Sequence, residues 1–159
     1  MVSWAELCED PLLRDLPYKV ETNRYGKIMM TPAKGWHSDR AGMVHKVLLH
    51  LIEGGHVMPE IPIQTSDGIK VPDVGWFSLE RLAPIRREAA YSVAPEICVE
   101  LLSESATSEE MREKMALYFE AGANECWLCS DDCDVRFFSA QGELSASEAC
   151  LGFPSKLEI

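Results

Sequence analysis

Apolar and polar positions along the chain switch between a helical period and a strand period. Met43, Val47, Leu48, Leu51 and Ile52 recur at the spacing of one helix face. This predicts a long helix from residue 38, with Ser38 or Asp39 as N-cap and Gly54-Gly55 as its stop. A second long helix is predicted over residues 107–121, where Met111, Met115 and Tyr118 form a stripe at i, i+4 and i+7. Thr107 or Ser108 caps it, Glu109 and Glu110 favour its first turn, and Gly122 ends it. Strands are predicted at residues 57–64 and 69–77, joined through Ser66-Asp67-Gly68, and at 125–130 and 135–139 around Asp131-Asp132, with Gln141-Gly142 turning the chain toward Leu144. Residues 95–103, PEICVELLS, form a nearly continuous apolar run, as expected of a central strand covered on both faces. Ahead of these lie a short helix within residues 2–13 and a hairpin, 18–21 and 27–31, turning at Asn23 and Gly26. Residues 78–94 read as a loop with a helical turn. The sum is an α/β fold, a mixed β-sheet flanked by two main helices.

The 159 residues make one compact unit, read as an N-terminal helix and hairpin extension, 1–34, on a domain of residues 35–159. No apolar run approaches the ~18 residues of a membrane span. The N-terminal segment carries acids where a signal peptide needs a basic region, so a cytoplasmic location is expected. The net charge of -11 opposes contact with nucleic acid as a bulk property. The charge is uneven: residues 14–46 hold seven Lys/Arg against Asp15, Glu21 and Asp39, whereas residues 47–159 hold eight against twenty acids. Any basic surface must come largely from the first third. Six scattered cysteines in a chain able to build its own core read as reduced thiols. A zinc knuckle at Cys126-x2-Cys129-x3-Cys133 is set aside, because residues 126 and 129 of one strand point to opposite faces.

Two carboxylates stand out because each interrupts an apolar strand: Asp73 in VPDVGW and Glu100 in CVELL. Burying a lone carboxylate is costly, so each needs a partner. A hard divalent cation, Mg²⁺ or Mn²⁺, would serve both, since such ions take one or two carboxylates plus water and phosphate oxygens; backbone N–H groups or an arginine would serve each singly. Lys114 borders the core-facing stripe of the second helix. From there its ammonium either reaches the two acids or covers apolar surface with its stem and leaves its head in water.

Val71-Pro72-Asp73-Val74, the segment from Pro95 through Glu100 to Ser105, Glu113-Lys114-Met115-Ala116-Leu117-Tyr118 with Ala121-Gly122, Glu125-Cys126-Trp127-Leu128, and the closing Leu151-Gly152-Phe153-Pro154 follow one another in an order that resembles the Uma-two family of putative restriction endonucleases, within the PD-(D/E)xK nuclease superfamily. The resemblance spans roughly residues 35–157. It implies a restriction-endonuclease-like core in which Asp73 and Glu100 bind a divalent metal. The position two after the glutamate, where the superfamily usually has lysine, is Leu102. The resemblance implies that the lysine is carried by the following helix, at Lys114. The chain departs from the family at Glu104, where the family commonly has Pro after the strand-end Ser, and at Ser108-Glu109-Glu110, where it has a basic stretch; these changes weaken phosphate binding near the site. Ser130 or Asp131 matches an acid often found after the Trp-Leu strand. Arg40, Ala41 and His45 compete for a polar position at the start of the first long helix. A lone helical His45 is more often structural than catalytic, and His37, His50 and His56 show no ligand pattern.

The implied activity is metal-dependent hydrolysis of DNA, with Asp73, Glu100 and Lys114 as catalytic residues. Arg40, Lys46, Arg86 and Arg87, together with Lys34 and Arg81, are candidate phosphate contacts. DNA binding would be weak and salt-dependent. The alternative is a nuclease fold that cleaves poorly or not at all and works as an oligomeric binding or regulatory module. The resemblance also implies a homodimer or higher homo-oligomer, since superfamily nucleases often pair to cut two strands; exposed-looking Trp4, Leu12 and Leu13 would suit such an interface.

Overall fold

A computed structural model describes residues 1–158. The chain runs α1 (Trp4–Glu9), β1 (Tyr18–Thr22), β2 (Ile28–Pro32), α2 (Gly35–Leu51), β3 (His56–Pro59), β4 (Ile63–Thr65), β5 (Gly68–Lys70), β6 (Val74–Phe77), α3 (Leu79–Leu82), β7 (Ile97–Leu101), α4 (Ser108–Glu120), β8 (Glu125–Cys129), β9 (Val135–Ser139) and β10 (Gly142–Leu144). Six strands form a mixed sheet in the order β10-β9-β8-β7-β6-β3, in which β7 and β8 alone run parallel, bridged by α4. The hairpins β1-β2 and β4-β5 are separate two-stranded sheets. This is the mixed α/β architecture expected from the sequence.

The period of two in β7 sorts its side chains between two cores. Ile97, Val99 and Leu101 join Val44 and Leu48 of α2 with Trp127, Phe137 and Phe153, whereas Cys98 joins Met115 and Tyr118 of α4 with Phe77, Ile61 and Ile63. Glu100, two residues from Cys98, is therefore on the α4 side, near the C-terminal end of a strand whose five residues are all buried. The same alternation puts Cys126 in one core and Cys129 in the other. All six cysteines are free thiols, five of them buried.

Several predicted boundaries shift, each for a local reason. Residues 57–64 form two strands because Glu60 adopts a positive φ of 45°, which bends the chain out of the main sheet. Residues 69–77 divide correspondingly into β5 and β6. Asp73 lies on the bend just before β6 rather than within a strand, its N–H donating to the Val99 carbonyl at 3.0 Å. Helix α2 starts at Gly35, ahead of Ser38, with Lys34 at a cap position that has no side-chain hydrogen bond. Its first two turns carry the tertiary contacts of His37 and Arg40, described below. Helix α1 occupies only Trp4–Glu9, because Pro11 excludes helical backbone at the residue before it. In α4 the expected cap is present as a full capping box between Thr107 and Glu110.

Gly75 shows how tightly β6 is wedged. A Cβ there would lie 2.6 Å from Ile61 Cδ1 and 2.9 Å from the Ile97 carbonyl oxygen. The substitution Gly75→Ala is expected to cost about 1–3 kcal/mol of stability through overpacking, read as a lower denaturant midpoint at unchanged slope.

Candidate active site

Three backbone devices bring charge to one place. The bend before β6 presents Asp73, the α4 face of β7 presents Glu100, and strand period places Lys19 and Glu21 of β1 on one side of the hairpin. The hairpin is tied down by its opposite side: buried Thr22 accepts the Ile69 N–H at 2.9 Å, and the Lys70 ammonium donates to the Thr22 carbonyl at 2.8 Å. Lys114 and Tyr118 reach in from α4, one turn apart.

The distances define an interlocked set. Lys19 Nζ donates to Asp73 Oδ1 at 2.9 Å and lies 3.8 Å from Glu100 Oε2. Lys114 Nζ contacts Glu100 Oε1 at 3.0 Å and Glu21 Oε1 at 2.8 Å. Tyr118 donates its hydroxyl proton to Glu100 Oε1 at 2.5 Å, and the Leu101 N–H donates to Asp73 Oδ2 at 2.7 Å. His37 Nε2, from the first turn of α2, stands 3.6 Å from Asp73 Oδ2. Each carboxylate thus has one oxygen held by fixed protein donors and the other turned toward a shared cation position, which Lys19 fills. Asp73 and Glu100 are each only 5% exposed.

Burial pushes the Asp73 carboxyl above its ordinary range, and Glu100 adds to the shift, against the pull of Lys19. Burial acts the same way on Glu100, but Lys114, Lys19 and the Tyr118 hydroxyl outweigh it and lower its pKa. The asymmetry follows from the contacts, since two ammonium groups face Glu100 and one faces Asp73. Burial opposes the charge on Lys19, yet Glu100 and Asp73 together hold it as an ammonium.

The cluster forms the floor of a cleft of about 1370 Å³ between α2, the hairpin and the start of α4. Lys34, Lys46, His37, His45 and the half-exposed Trp36 line its walls, as do Glu60 and Glu110. Lys46 therefore faces the same space as the carboxylates. Arg86 and Arg87 are exposed but lie outside the cleft lining. Arg40 is 3% exposed, and its guanidinium donates to the carbonyls of Cys129 (3.1 Å), Ser130 (2.7 Å) and Leu102 (3.0 Å) and pairs with Asp131 at 3.2 Å. It clamps the C-terminal ends of β7 and β8 to α2, so it is spent on structure rather than offered to a phosphate. Arg81 is likewise engaged, with the carbonyls of Ala94 and Gly122.

The family model described as Uma2, putative restriction endonuclease, matches residues 9–158. The chain belongs to the Uma2 family. Its fold is similar to the crystal structure of a putative nuclease belonging to DUF820 from Anabaena variabilis, with a TM-score of 0.71 at 20% identity, covering 98% of this chain and 90% of that one. Among curated proteins no significant match is found. No helix among the described residues is long and apolar enough to cross a membrane.

For a Uma2 protein the question is whether this donor set suits a divalent metal. Among the described residues no group of three or more His, Cys, Asp or Glu side chains is placed to hold one. The two carboxylates do fit a hard cation that completes its shell with water and phosphate, because Asp73 Oδ1 and Glu100 Oε2 already converge on one positive charge. Lys19, Glu21 and His37 were not singled out from the sequence. The usable signal was the i, i+2 pair of opposite charges in a short strand, which the alternation must place on one face; for His37 there was none.

Replacing Glu100 by Gln would leave two largely enclosed lysines short of a counter-charge, costing about 3 kcal/mol at neutral pH. The depressed pKa of Glu100 means that its stabilisation is complete above about 4.5 and is lost as pH falls toward about 2. The gap in thermal stability between wild type and E100Q is therefore expected to be widest near neutrality and to close below pH 4.5.

Proposed function

We propose that the protein is a metal-dependent endonuclease hydrolysing DNA phosphodiester bonds. The observation that carries this reading is the convergence of Asp73 Oδ1 and Glu100 Oε2 on one cation position at the floor of the cleft, with Lys114 held beside it at 3.0 Å from Glu100. Asp73 and Glu100 would hold Mg²⁺ or Mn²⁺; a bound ion of this kind polarises a scissile phosphate and lowers the pKa of water.

The protein's own groups have separable tasks. Tyr118 and the Leu101 N–H fix the two carboxylates, so the oxygens that face the cation need no reorganisation. The Lys114 ammonium, anchored by Glu21, is placed to orient an attacking water or to stabilise charge developing on the phosphoryl oxygens. Lys34 and Lys46 supply positive charge along the walls, where the Lys34 ammonium and the Arg40 guanidinium lie over the Trp36 ring. With a net charge of -11 around so few basic contacts, DNA binding is weak and steeply salt-dependent, and a homodimer or higher homo-oligomer would multiply the contacts.

A second reading, a nuclease fold serving as a binding or regulatory module, is favoured by one feature: the carboxylates are already paired with two lysines. Cleavage assays on plasmid and oligonucleotide panels separate the two. Under the nuclease reading, Mg²⁺ or Mn²⁺ supports nicking by the wild-type chain, Lys114→Ala lowers the rate by about 100-fold or more, and Asp73→Asn abolishes it. Equal, residual cleavage by all three proteins would assign the activity to a contaminant and leave the module reading.

A further inference from the structure

Lys19 sits where a metal would sit. Its ammonium contacts Asp73 Oδ1 at 2.9 Å and Glu100 Oε2 at 3.8 Å, the two oxygens that no other group among the described residues holds. Its side chain is 13% exposed, on the cleft floor. Lys114 differs in one decisive respect. Besides Glu100 it has Glu21 at 2.8 Å, a carboxylate outside the metal pair that is itself fixed by the Val71 N–H at 2.7 Å. If a divalent cation enters between Asp73 and Glu100, Lys114 keeps a partner and Lys19 loses both of its own. Two cations cannot share the same pair of oxygens, because their mutual repulsion at this separation, away from bulk water, is large.

We propose that Lys19 is an internal cation exchanged for the metal: it occupies the Asp73–Glu100 seat in the metal-free protein, and metal binding displaces its ammonium into the cleft. This inference rests on the two-carboxylate metal site proposed above. The long flexible side chain makes the exchange without movement of the hairpin, whose backbone is fixed through Thr22 and Glu21. In the metal-free state the Lys19 ammonium offsets the negative charge of the seat. In the metal-bound state the released ammonium adds a positive charge to the cleft floor, where an anionic phosphodiester oxygen is its natural partner. Lys19 thereby sets the metal affinity and couples metal loading to the attraction of nucleic acid. It is a positioning residue in the metal-free state and a phosphate contact in the loaded one.

Two measurements on the full chain test this without recourse to activity. Calorimetric titration of Mn²⁺ into wild type, K19Q and K19M is expected to give a Kd at least about tenfold lower in the variants, since no resident cation has to be expelled. In the unmodified protein, brief acetylation read by mass spectrometry is expected to modify Lys19 several-fold faster in saturating Mg²⁺ than in EDTA, with Lys114 unchanged; this arm needs no variant to fold. Equal Kd values with unchanged Lys19 reactivity overturn the exchange and leave the metal site standing. Loss of binding in wild type and variants alike overturns both. Binding by K19Q and K19M but not by wild type at millimolar Mn²⁺ supports the lysine seat and removes metal-dependent cleavage from the natural chain.

Discussion

Two carboxylates buried side by side cannot both remain charged unless cations stand between them, and the centre of this protein is arranged around that constraint. Asp73, on the bend before β6, and Glu100, in β7, are almost wholly excluded from water. Two further elements and the backbone of β7 itself meet the demand. The hairpin supplies Lys19, α4 supplies Lys114 and Tyr118, and the backbone of β7 supplies the Leu101 N–H. Even Glu21 belongs to this set, because it holds Lys114 at the angle that Glu100 requires. The residues form one network, and the strength of any pair in it depends on the others remaining in place.

The remainder of the fold can be understood as the frame for this cluster. The central pair β7-β8 carries its apolar side chains into two cores, one under α2 and one under α4. Glu100 interrupts the second core near the strand's end, where the cleft opens. Arg40 closes the neighbouring end of the sheet by tying the carbonyls of β7 and β8 to α2. Its buried guanidinium is the polar counterpart of the packed Leu48 and Val44 on the same helix. The kink at Glu60 turns β4 and β5 out of the main sheet, and β5 then provides the surface against which the hairpin is held.

The net charge of -11 acquires a different meaning once the acids are located. Three of them, Asp73, Glu100 and Glu21, are internal and matched by lysines. The cleft wall formed by α2 and the hairpin carries Lys34, Lys46 and His37, drawn from the part of the chain with a local excess of positive charge. Glu60 and Glu110 line the same cleft, so its positive charge is local to the α2 wall, and contact with a phosphate is confined to that side.

Strand alternation, helix caps and breaker residues lie within a few residues of what they control, and so they were legible in the sequence. The two long helices, the central strand, the capping box at Thr107 and the opposite faces of Cys126 and Cys129 all follow from local pattern. Asp73 and Glu100 were legible as well, because a carboxylate in an apolar run is costly wherever the strand goes. What remained hidden depended on contacts between segments far apart in the chain. Lys19 is 54 residues from Asp73, and nothing near it in sequence says that its hairpin folds back over β5 to deliver it. Arg40 looked like a phosphate contact because its residue type is ambiguous; only the three carbonyls that surround it, from chain positions about 60 to 90 residues away, make it structural. Local pattern fixes which residues need partners, and only the tertiary structure decides which partners they find, because charge pairing acts through space without regard to chain order.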